Sequence, residues 1–260
     1  MLGIALLLGV VEGLTEFLPV SSTGHLILVS SLARFTGRRA QAFEVFIQLG
    51  AILAVVWEYR GTVARVARGA VRPSAERRLL WSIVLAFLPS ALIGLLLHRF
   101  ISDRLFHPLP VAGALLAGAA AILAVERFRP AARTHDAAAV SREQAVWIGI
   151  CQCAALWPGF SRSAATILGG MVAGLDRRAA TEFSFFLAIP TMFAAALYDL
   201  VVHAAWLEAG DAAWLALSFV VSFGVALVAI RWLLRFVASH DLRPFAWYRI
   251  AIGIAVLATF

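Results

Sequence analysis

Six apolar runs, each near the length that crosses a lipid bilayer, constrain this chain most. They cover 41–59, 79–98, 109–126, 180–203, 213–236 and 245–260. A membrane-spanning helix needs about 20 predominantly apolar residues. The chain is 62% hydrophobic and 14% charged, whereas soluble domains are about half apolar and about a quarter charged. We therefore predict an all-α, polytopic integral membrane protein with six transmembrane helices in a single membrane domain, 1–260.

Two more apolar segments are broken near their middle. The first consists of 1–16 and 20–33 on either side of Pro19, and the second consists of 145–158 and 161–174 around a Pro–Gly break. Each half is too short to span a bilayer alone. Proline ends a helix, and non-helical backbone at membrane depth is tolerated only where it lines a cavity or is buried in protein. We therefore predict two re-entrant helical hairpins.

The order of hairpin and three spans occurs twice along the chain. This order predicts an inverted-topology repeat, with repeat one at about 1–126 and repeat two at about 145–260. Because each half has an odd number of spans, the second repeat has the opposite orientation in the membrane. Inverted repeats with broken helices are also a transporter design. A lipid-phosphate transporter or flippase is therefore the alternative to a catalytic function.

The basic excess of the chain is all arginine and lies mainly in short loops. The loops on one predicted side of the membrane carry 14 arginines and those on the other side carry five. By the positive-inside rule, the richer side is expected to be cytoplasmic, so the first hairpin enters from the outer side. The high isoelectric point is typical of nucleic-acid binding. However, no basic amphipathic face or RNA-binding motif is present, and we expect no nucleic-acid partner.

The first hairpin carries a polar motif, which reads EGLTEFLPVSSTGH over 12–25. Charged side chains near bilayer depth cost at least a few kcal/mol and usually serve a function. Glu12 and Glu16 are one turn apart on one helix face. They can share a proton, bind a divalent cation such as Mg²⁺ or Ca²⁺, or act as base and metal ligand. The structural alternative is that they hydrogen-bond backbone groups of the hairpin.

The hydroxyls and the imidazole of this motif follow Pro19. They belong to Ser21, Ser22, Thr23 and His25. Because Ser22 and His25 are three residues apart, one helical turn brings them together. This spacing suits a serine nucleophile with a histidine partner, or a histidine base that activates water. Simple helix capping by Ser21 or Ser22 is the structural alternative.

The second hairpin carries the opposite charge in a similar pattern, QCAALWPGFSRSAAT over 152–166. Arg162 lies between Ser161 and Ser163 and is followed by Thr166. A guanidinium matches phosphate oxygens in two places, and a helix N-terminus adds backbone N–H donors. We predict that the two motifs meet and form one anion-binding site. The alternative is an arginine that only neutralises the glutamates. Polar residues at the starts of the following spans form a second tier of candidates: Glu44, Gln48, Glu182 and Ser184.

Both motifs resemble the signature motifs of the bacterial undecaprenyl-diphosphate phosphatase family, the bacitracin-resistance type. The resemblance extends to FEVFIQLGAILAV over 43–55 and EFSFFLAIPTMFAA over 182–195. It implies hydrolysis of undecaprenyl diphosphate to the monophosphate and inorganic phosphate, which recycles the lipid carrier of cell-wall precursors and gives resistance to bacitracin. It also implies a bacterial plasma membrane location, with the site toward the outer face.

The resemblance assigns the family's acidic motif to Glu12 and Glu16, its serine and histidine to Ser22 and His25, and its arginine to Arg162. We expect a polyprenyl diphosphate lipid as substrate. A homodimer is compatible with the sequence. The predicted catalytic residues are Glu16, Ser22, His25 and Arg162. The predicted substrate contacts are Ser21, Thr23, Ser161, Ser163, Thr166 and Gln48. The predicted ligands of Mg²⁺ or Ca²⁺ are Glu12 and Glu16.

Overall fold

The computed structural model describes residues 2–35, 37–69, 74–203 and 209–259, and within these ranges regular structure is helical apart from one isolated bridge. The α-helices in the described part of the chain are α1 Leu2–Thr15, α2 Ser22–Leu32, α3 Arg38–Glu58, α4 Arg60–Gly69, α5 Ala75–Leu105, α6 Pro108–Phe128, α7 Arg142–Gln152, α8 Arg162–Val172, α9 Arg177–His203, α10 Ala212–Ser239 and α11 Arg243–Thr259. The all-α prediction is confirmed for these residues.

Within the described ranges, four helices are long and apolar enough to cross a membrane. They are α5, α6, the Arg177–Leu197 part of α9, and α10. The predicted spans at 41–59 and 245–260 correspond to α3 and α11, which are not among the four. The 17 residues of α11 lie at the lower limit of the length that spans a bilayer, and α3 begins with the polar sequence RRAQAFE. The multi-pass character is confirmed, while the full count of six spans stays a prediction.

Both predicted hairpins consist of two short helices separated by a non-helical break. The α1–α2 pair is interrupted over 16–21, which includes Pro19. After α7 the chain forms a short 3₁₀ turn, Cys153–Leu156, and then breaks at 157–161 before α8 begins. The breaks therefore occur where the sequence places them, at Pro19 and at the Pro158–Gly159 step. Proline disfavours a helix interior, although α5 and α9 pass through Pro89 and Pro190.

Each broken pair packs against a long helix from the other half of the chain. α1 lies on α10, and α7 lies on α5. Small residues allow this close approach: a Cβ added at Gly13 would lie 2.5 Å from the carbonyl oxygen of Ser222, and one at Gly149 would lie 2.5 Å from that of Ala86. α3 also contacts α9, and α6 contacts α11. These pairings bring the two breaks together inside the helical bundle.

The structure differs from the sequence-based boundaries in two places. α5 continues to Leu105, seven residues past the predicted end at 98. It stops there because Pro108 disfavours a helical conformation at the preceding residue, and His107 is extended with φ −121° and ψ 154°. The loop 60–78, expected as a plain connector, contains the exposed helix α4; its residues 70–73 lie outside the described residues.

Candidate active site

One ion pair joins the two motifs. Arg162, the first residue of α8, donates from Nη2 to Oε1 of Glu16 over 3.0 Å. The Arg162 side chain is 11% exposed and that of Glu16 is 8% exposed, so water screens this pair only weakly. The two motifs therefore meet, as the sequence predicts.

The second oxygen of Glu16 binds the serine hydroxyl. Ser22, the first residue of α2, donates from Oγ to Oε2 of Glu16 over 2.5 Å. Hydrogen bonds to a charged acceptor are shorter and about twice as strong as neutral ones. Arg162, Glu16 and Ser22 thus form a continuous chain of charge-assisted contacts, with the carboxylate at its centre.

The guanidinium of Arg162 has further contacts that fix its plane. Nη1 donates to the carbonyl oxygen of Ser184 over 3.3 Å, and Nη2 lies 3.4 Å from the sulfur of Met192. Its Cζ lies 5.5 Å from the ring centroid of Phe17, within cation–π distance. One N–H of the fork, that of Nε, is buried without a hydrogen-bond partner among the described residues.

The residues before Ser22 and Arg162 shape both helix starts. Ser21 accepts a hydrogen bond from the backbone N–H of Gly24, and Ser161 accepts one from that of Ala164. Both residues have positive φ, 73° and 78°, which is uncommon outside glycine and carries backbone strain. Serine capping is thus real in both motifs, and it places Ser22 and Arg162 at helix N-termini, where the helix dipole favours anions.

A cavity of about 510 Å³ opens beside this chain of contacts. Its polar lining comes from the two motifs and from α3, α5 and α9: Glu16, Ser21, Ser22, Thr23, Gln48, Ser90, His98, Gln152, Ser161, Arg162 and Thr191. Much of the remaining wall is apolar and is contributed by α5 and α9, with Phe87, Leu95, Ile101, Met192 and Ala194 among its residues. A polar patch with a guanidinium and two helix N-termini, in an otherwise largely apolar cavity, suits an amphipathic anion.

His25 lies outside this cavity lining and has other partners than Ser22. Its Nδ1 lies 2.7 Å from the carbonyl oxygen of Ser21, and its Nε2 lies 2.7 Å from the hydroxyl of Tyr248. Because a carbonyl only accepts, Nδ1 carries a hydrogen. The His25 and Tyr248 rings are also stacked, with centroids 5.5 Å apart. The structure therefore pairs Ser22 with Glu16 and makes His25 a support for the first break.

Two of the predicted substrate contacts, Ser163 and Thr166, also lie outside the cavity lining. Ser163 donates to the carbonyl oxygen of Leu18 over 2.8 Å, which ties the second motif to the first break. The hydroxyl of Thr166 lies 2.6 Å from that of Ser184. In the second tier, Glu182 forms an ion pair with Arg178, away from the site. These hydroxyls fasten the helices that carry the cavity residues.

Glu12 is fully buried, and neither of its carboxylate oxygens has a hydrogen-bond partner among the described residues. A buried carboxylate in that state must be neutralised by a proton or by a cation. The described residues contain no group of three or more His, Cys, Asp or Glu side chains arranged to hold a metal. Mg²⁺ is commonly bound by only one or two carboxylates together with substrate phosphates and water. Glu12 and Glu16 fit that pattern, but not a metal site made by protein alone.

Two residues at this centre are missed by the sequence analysis. Tyr248 contacts His25, as described above. Arg249 is fully buried and donates hydrogen bonds to backbone carbonyls of both breaks, at Pro19 and Gly159. The sequence does carry a signal for Arg249. Apart from Arg235 at the end of a span, only three arginines lie within the predicted hairpins and spans: Arg162, Arg231 and Arg249.

Comparison with known proteins places this geometry in a family. Residues 5–255 match the family described as bacitracin resistance protein BacA. A protein named undecaprenyl-diphosphatase from Dechloromonas aromatica is 52% identical over 256 residues, covering 98% of this chain and 93% of the relative. Undecaprenyl-diphosphatase 1 from Chromobacterium violaceum is 51% identical, with 98% and 95% covered, and the undecaprenyl-diphosphatase of Cellvibrio japonicus is 50% identical, with 98% and 93% covered. With both motifs joined at one cavity and a match over nearly its whole length, the chain belongs to the BacA bacitracin resistance protein family.

Proposed function

We propose that this protein hydrolyses undecaprenyl diphosphate to undecaprenyl phosphate and inorganic phosphate. The observation that carries the proposal is the chain of contacts from Arg162 through Glu16 to Ser22 at the wall of a largely apolar cavity. The three relatives described above are named for this activity. Their names give no support to the transporter alternative.

Ser22 is the nucleophile in the mechanism that the geometry favours. Its hydroxyl already donates to Oε2 of Glu16 over 2.5 Å, a short hydrogen bond of the kind made to an ionised carboxylate, so nucleophile and base are in direct contact. Glu16 takes this proton as Oγ attacks the terminal phosphorus. The bond from that phosphorus to the bridging oxygen breaks, and undecaprenyl phosphate leaves. Glu16 gives up the proton it has taken to the departing undecaprenyl phosphate or to solvent. Water then attacks the phosphorus of the phosphoserine while Glu16 accepts a proton from that water. The bond from phosphorus to Oγ breaks, Glu16 returns the proton to Oγ of Ser22, and inorganic phosphate is released.

Arg162 supplies the positive charge that this reaction needs. Phosphoryl transfer depends mainly on positioning and on neutralising the equatorial oxygens. The guanidinium lines the cavity, and its plane is fixed by Ser184 and Glu16. The N-termini of α2 and α8 add backbone N–H groups on the same side as the two reactive residues, because Ser22 and Arg162 are their first residues.

Glu12 and Glu16 would hold a divalent cation, Mg²⁺ or Ca²⁺, together with oxygens of the diphosphate. Such a cation supplies charge neutralisation at the phosphate oxygens. The unpartnered oxygens of Glu12 support this part of the proposal.

The apolar wall of the cavity receives the first part of the polyprenyl chain. Phe87, Leu95 and Ile101 of α5 face Met192 and Ala194 of α9 across the same space. A cavity of about 510 Å³ holds only a small part of such a long lipid. The rest of the polyprenyl chain stays among the lipid tails of the bilayer, which are as apolar as the cavity wall.

In the membrane, we propose six spans and two re-entrant hairpins in an inverted-topology repeat, with the cavity opening to the outer face. The reciprocal contacts support this arrangement, since α1 lies on α10 just as α7 lies on α5. The arginine-rich loops favour a cytoplasmic position for the opposite face. The protein would thus recycle the cell-wall lipid carrier at the bacterial plasma membrane and confer bacitracin resistance. Light scattering of the detergent-solubilised protein would test the homodimer.

Phosphate release from a polyprenyl diphosphate by the purified protein in detergent tests the catalytic proposal. Ser22→Ala, Glu16→Gln and Arg162→Lys should each lower the rate by at least about a hundredfold. Ser82→Ala and Arg177→Lys are matched controls, because both residues are bonded within the fold away from the cavity, and they should retain wild-type rates. Quenching with acid during turnover should trap phosphate on Ser22. Lipid translocation without phosphate release would refute the proposal.

Thiol labelling in intact cells tests the orientation. Cys151 and Cys153 are first replaced by alanine, so that single cysteines can be placed at exposed positions. Ser102→Cys, at an exposed position in the last turn of α5, should react with a membrane-impermeant reagent. Ala131→Cys, between α6 and α7, should react only after permeabilisation. The reverse pattern would place the cavity on the cytoplasmic side.

A further inference from the structure

Arg249 is the largest fully buried side chain in the described part of the protein, with 0% exposure. It belongs to α11, and its guanidinium makes four hydrogen bonds, all to backbone carbonyls. Nη1 donates to Pro19 over 3.1 Å, and Nη2 donates to Gly159 over 3.0 Å. Nε and Nη2 also donate to Leu115 and Ala114 of α6, over 3.2 Å each.

The two carbonyls at Pro19 and Gly159 belong to the two helix breaks. Pro19 lies three residues before Ser22, and Gly159 lies three residues before Arg162. One rigid, planar group therefore spans from the break that carries the nucleophile to the break that carries the cation. The α6 carbonyls hold that group to a long helix, which gives it a fixed reference in the bundle.

The surroundings of Arg249 are shaped to admit this guanidinium. A Cβ added at Gly118 of α6 would overlap Nη2 and lie 2.6 Å from Cζ. A buried cation without a carboxylate partner is costly, and four carbonyl acceptors recover part of that cost. A small apolar residue at this position would leave the carbonyls of Pro19 and Gly159 without this donor and would open a void, so the guanidinium stabilises both breaks together.

We propose that Arg249 is a positioning residue, which sets the distance between the two breaks and thereby holds Ser22, Glu16 and Arg162 in reactive alignment. The idea rests on the proposed hydrolysis. A guanidinium is suited to this role, because its N–H groups point in fixed directions and reach carbonyls on different segments at once. Lysine has the charge but lacks the fixed fork.

The first test is a double-mutant cycle on phosphate release. Arg249→Lys should lower kcat by about ten- to a hundredfold, because a misplacement of about 1 Å costs this much. In an Arg162→Lys background, the same change should have little further effect, since the alignment it protects is already lost. The same fold-loss in both backgrounds would overturn the proposal. Arg231→Lys is the matched control, because Arg231 is an exposed arginine paired with Glu58.

Gly118→Ala provides a second variant that leaves Arg249 in the chain. It should displace the guanidinium and lower kcat as Arg249→Lys does when Arg162 is intact. In the Arg162→Lys variant, Gly118→Ala should have little further effect on kcat. Gly224→Ala is its control, because a Cβ there meets nothing within 4 Å. If neither Arg249→Lys nor Gly118→Ala can be purified folded, the residue serves the fold as a whole, and the positioning role is refuted.

Hydrogen exchange followed by mass spectrometry tests the clamp without turnover. Arg249→Lys should speed exchange in peptides covering 16–22 and 157–162 together, while peptides of α3 keep wild-type exchange. Unchanged exchange in either break would refute the clamp. Because this measurement needs no substrate, it distinguishes failure of the clamp from failure of the proposed hydrolysis.

Discussion

Ser21 and Ser161 have almost the same backbone conformation, with φ 73° and 78°, although they lie about 140 residues apart. Each accepts a hydrogen bond from the backbone three residues ahead and starts a short helix. The residues that follow them, Ser22 and Arg162, are the two that converge on Glu16. Equivalent local structures thus present different chemistry, a hydroxyl on one side and a cation on the other.

Two replacements of Ser21 should distinguish the stability contributed by its side-chain cap from the energetic cost of its positive φ. Ser21→Ala loses the cap, which costs about 0.5–2 kcal/mol of stability. Ser21→Gly also loses the side-chain cap, but glycine tolerates positive φ and is itself acceptable at an N-cap, so the loss should be only a few tenths of a kcal/mol. Unfolding of the detergent-solubilised protein by SDS, followed by circular dichroism, measures the difference. Equal losses would show that the backbone there is unstrained.

The buried pair of Glu16 and Arg162 should behave differently in stability and in activity. Removing one partner leaves a buried charge, so Glu16→Ala or Arg162→Ala should each cost about 3–5 kcal/mol. The double variant should cost clearly less than the sum of the two, because no lone charge remains. Its phosphate release should nevertheless stay absent. Recovery of activity together with stability would mean that the arginine only neutralises the glutamate.

Glu12→Gln should reveal whether a cation neutralises this buried carboxylate. The substitution keeps the volume and removes the charge. If Glu12 is a metal ligand, Glu12→Gln should raise the Mg²⁺ or Ca²⁺ concentration needed for half-maximal rate by about tenfold or more, and calorimetry should show weaker metal binding. Chelation of divalent cations should abolish activity of the wild type. An unchanged cation dependence would mean that Glu12 carries a proton instead.

Two glycines, Gly13 on α1 and Gly224 on α10, should respond in opposite directions to alanine. At Gly13 the new Cβ would lie 2.5 Å from the backbone oxygen of Ser222, which cannot move easily. Gly13→Ala should therefore cost about 1–3 kcal/mol and lower activity, because α1 carries Glu12 and leads into the first break. At Gly224 the Cβ meets nothing, so alanine should stabilise the helix by about 1 kcal/mol. SDS unfolding of both variants checks the pair.

Much of the architecture follows from the sequence, because its determinants are local. Hydrophobic runs give the long helices, and Pro19 and the Pro158–Gly159 step give the two breaks. The cost of burying Glu16 and Arg162 predicts that they share a site. The ends of helices are less predictable where the helix continues past its apolar residues. α5, for example, extends beyond the apolar run and ends only shortly before Pro108.

The partners within the site were decided by the tertiary structure. Spacing brings His25 within reach of Ser22, yet His25 bonds the Ser21 carbonyl and Tyr248, which lies more than 200 residues away in the sequence. In the sequence, Arg249 is a single charge in an apolar segment. Only the tertiary structure shows that its guanidinium donates hydrogen bonds to carbonyls of both breaks. Sequence determines which groups are costly to bury, because that cost is a property of each residue. Which partner offsets the cost depends on distances between helices that are remote in the chain, and these are set only when the helices pack.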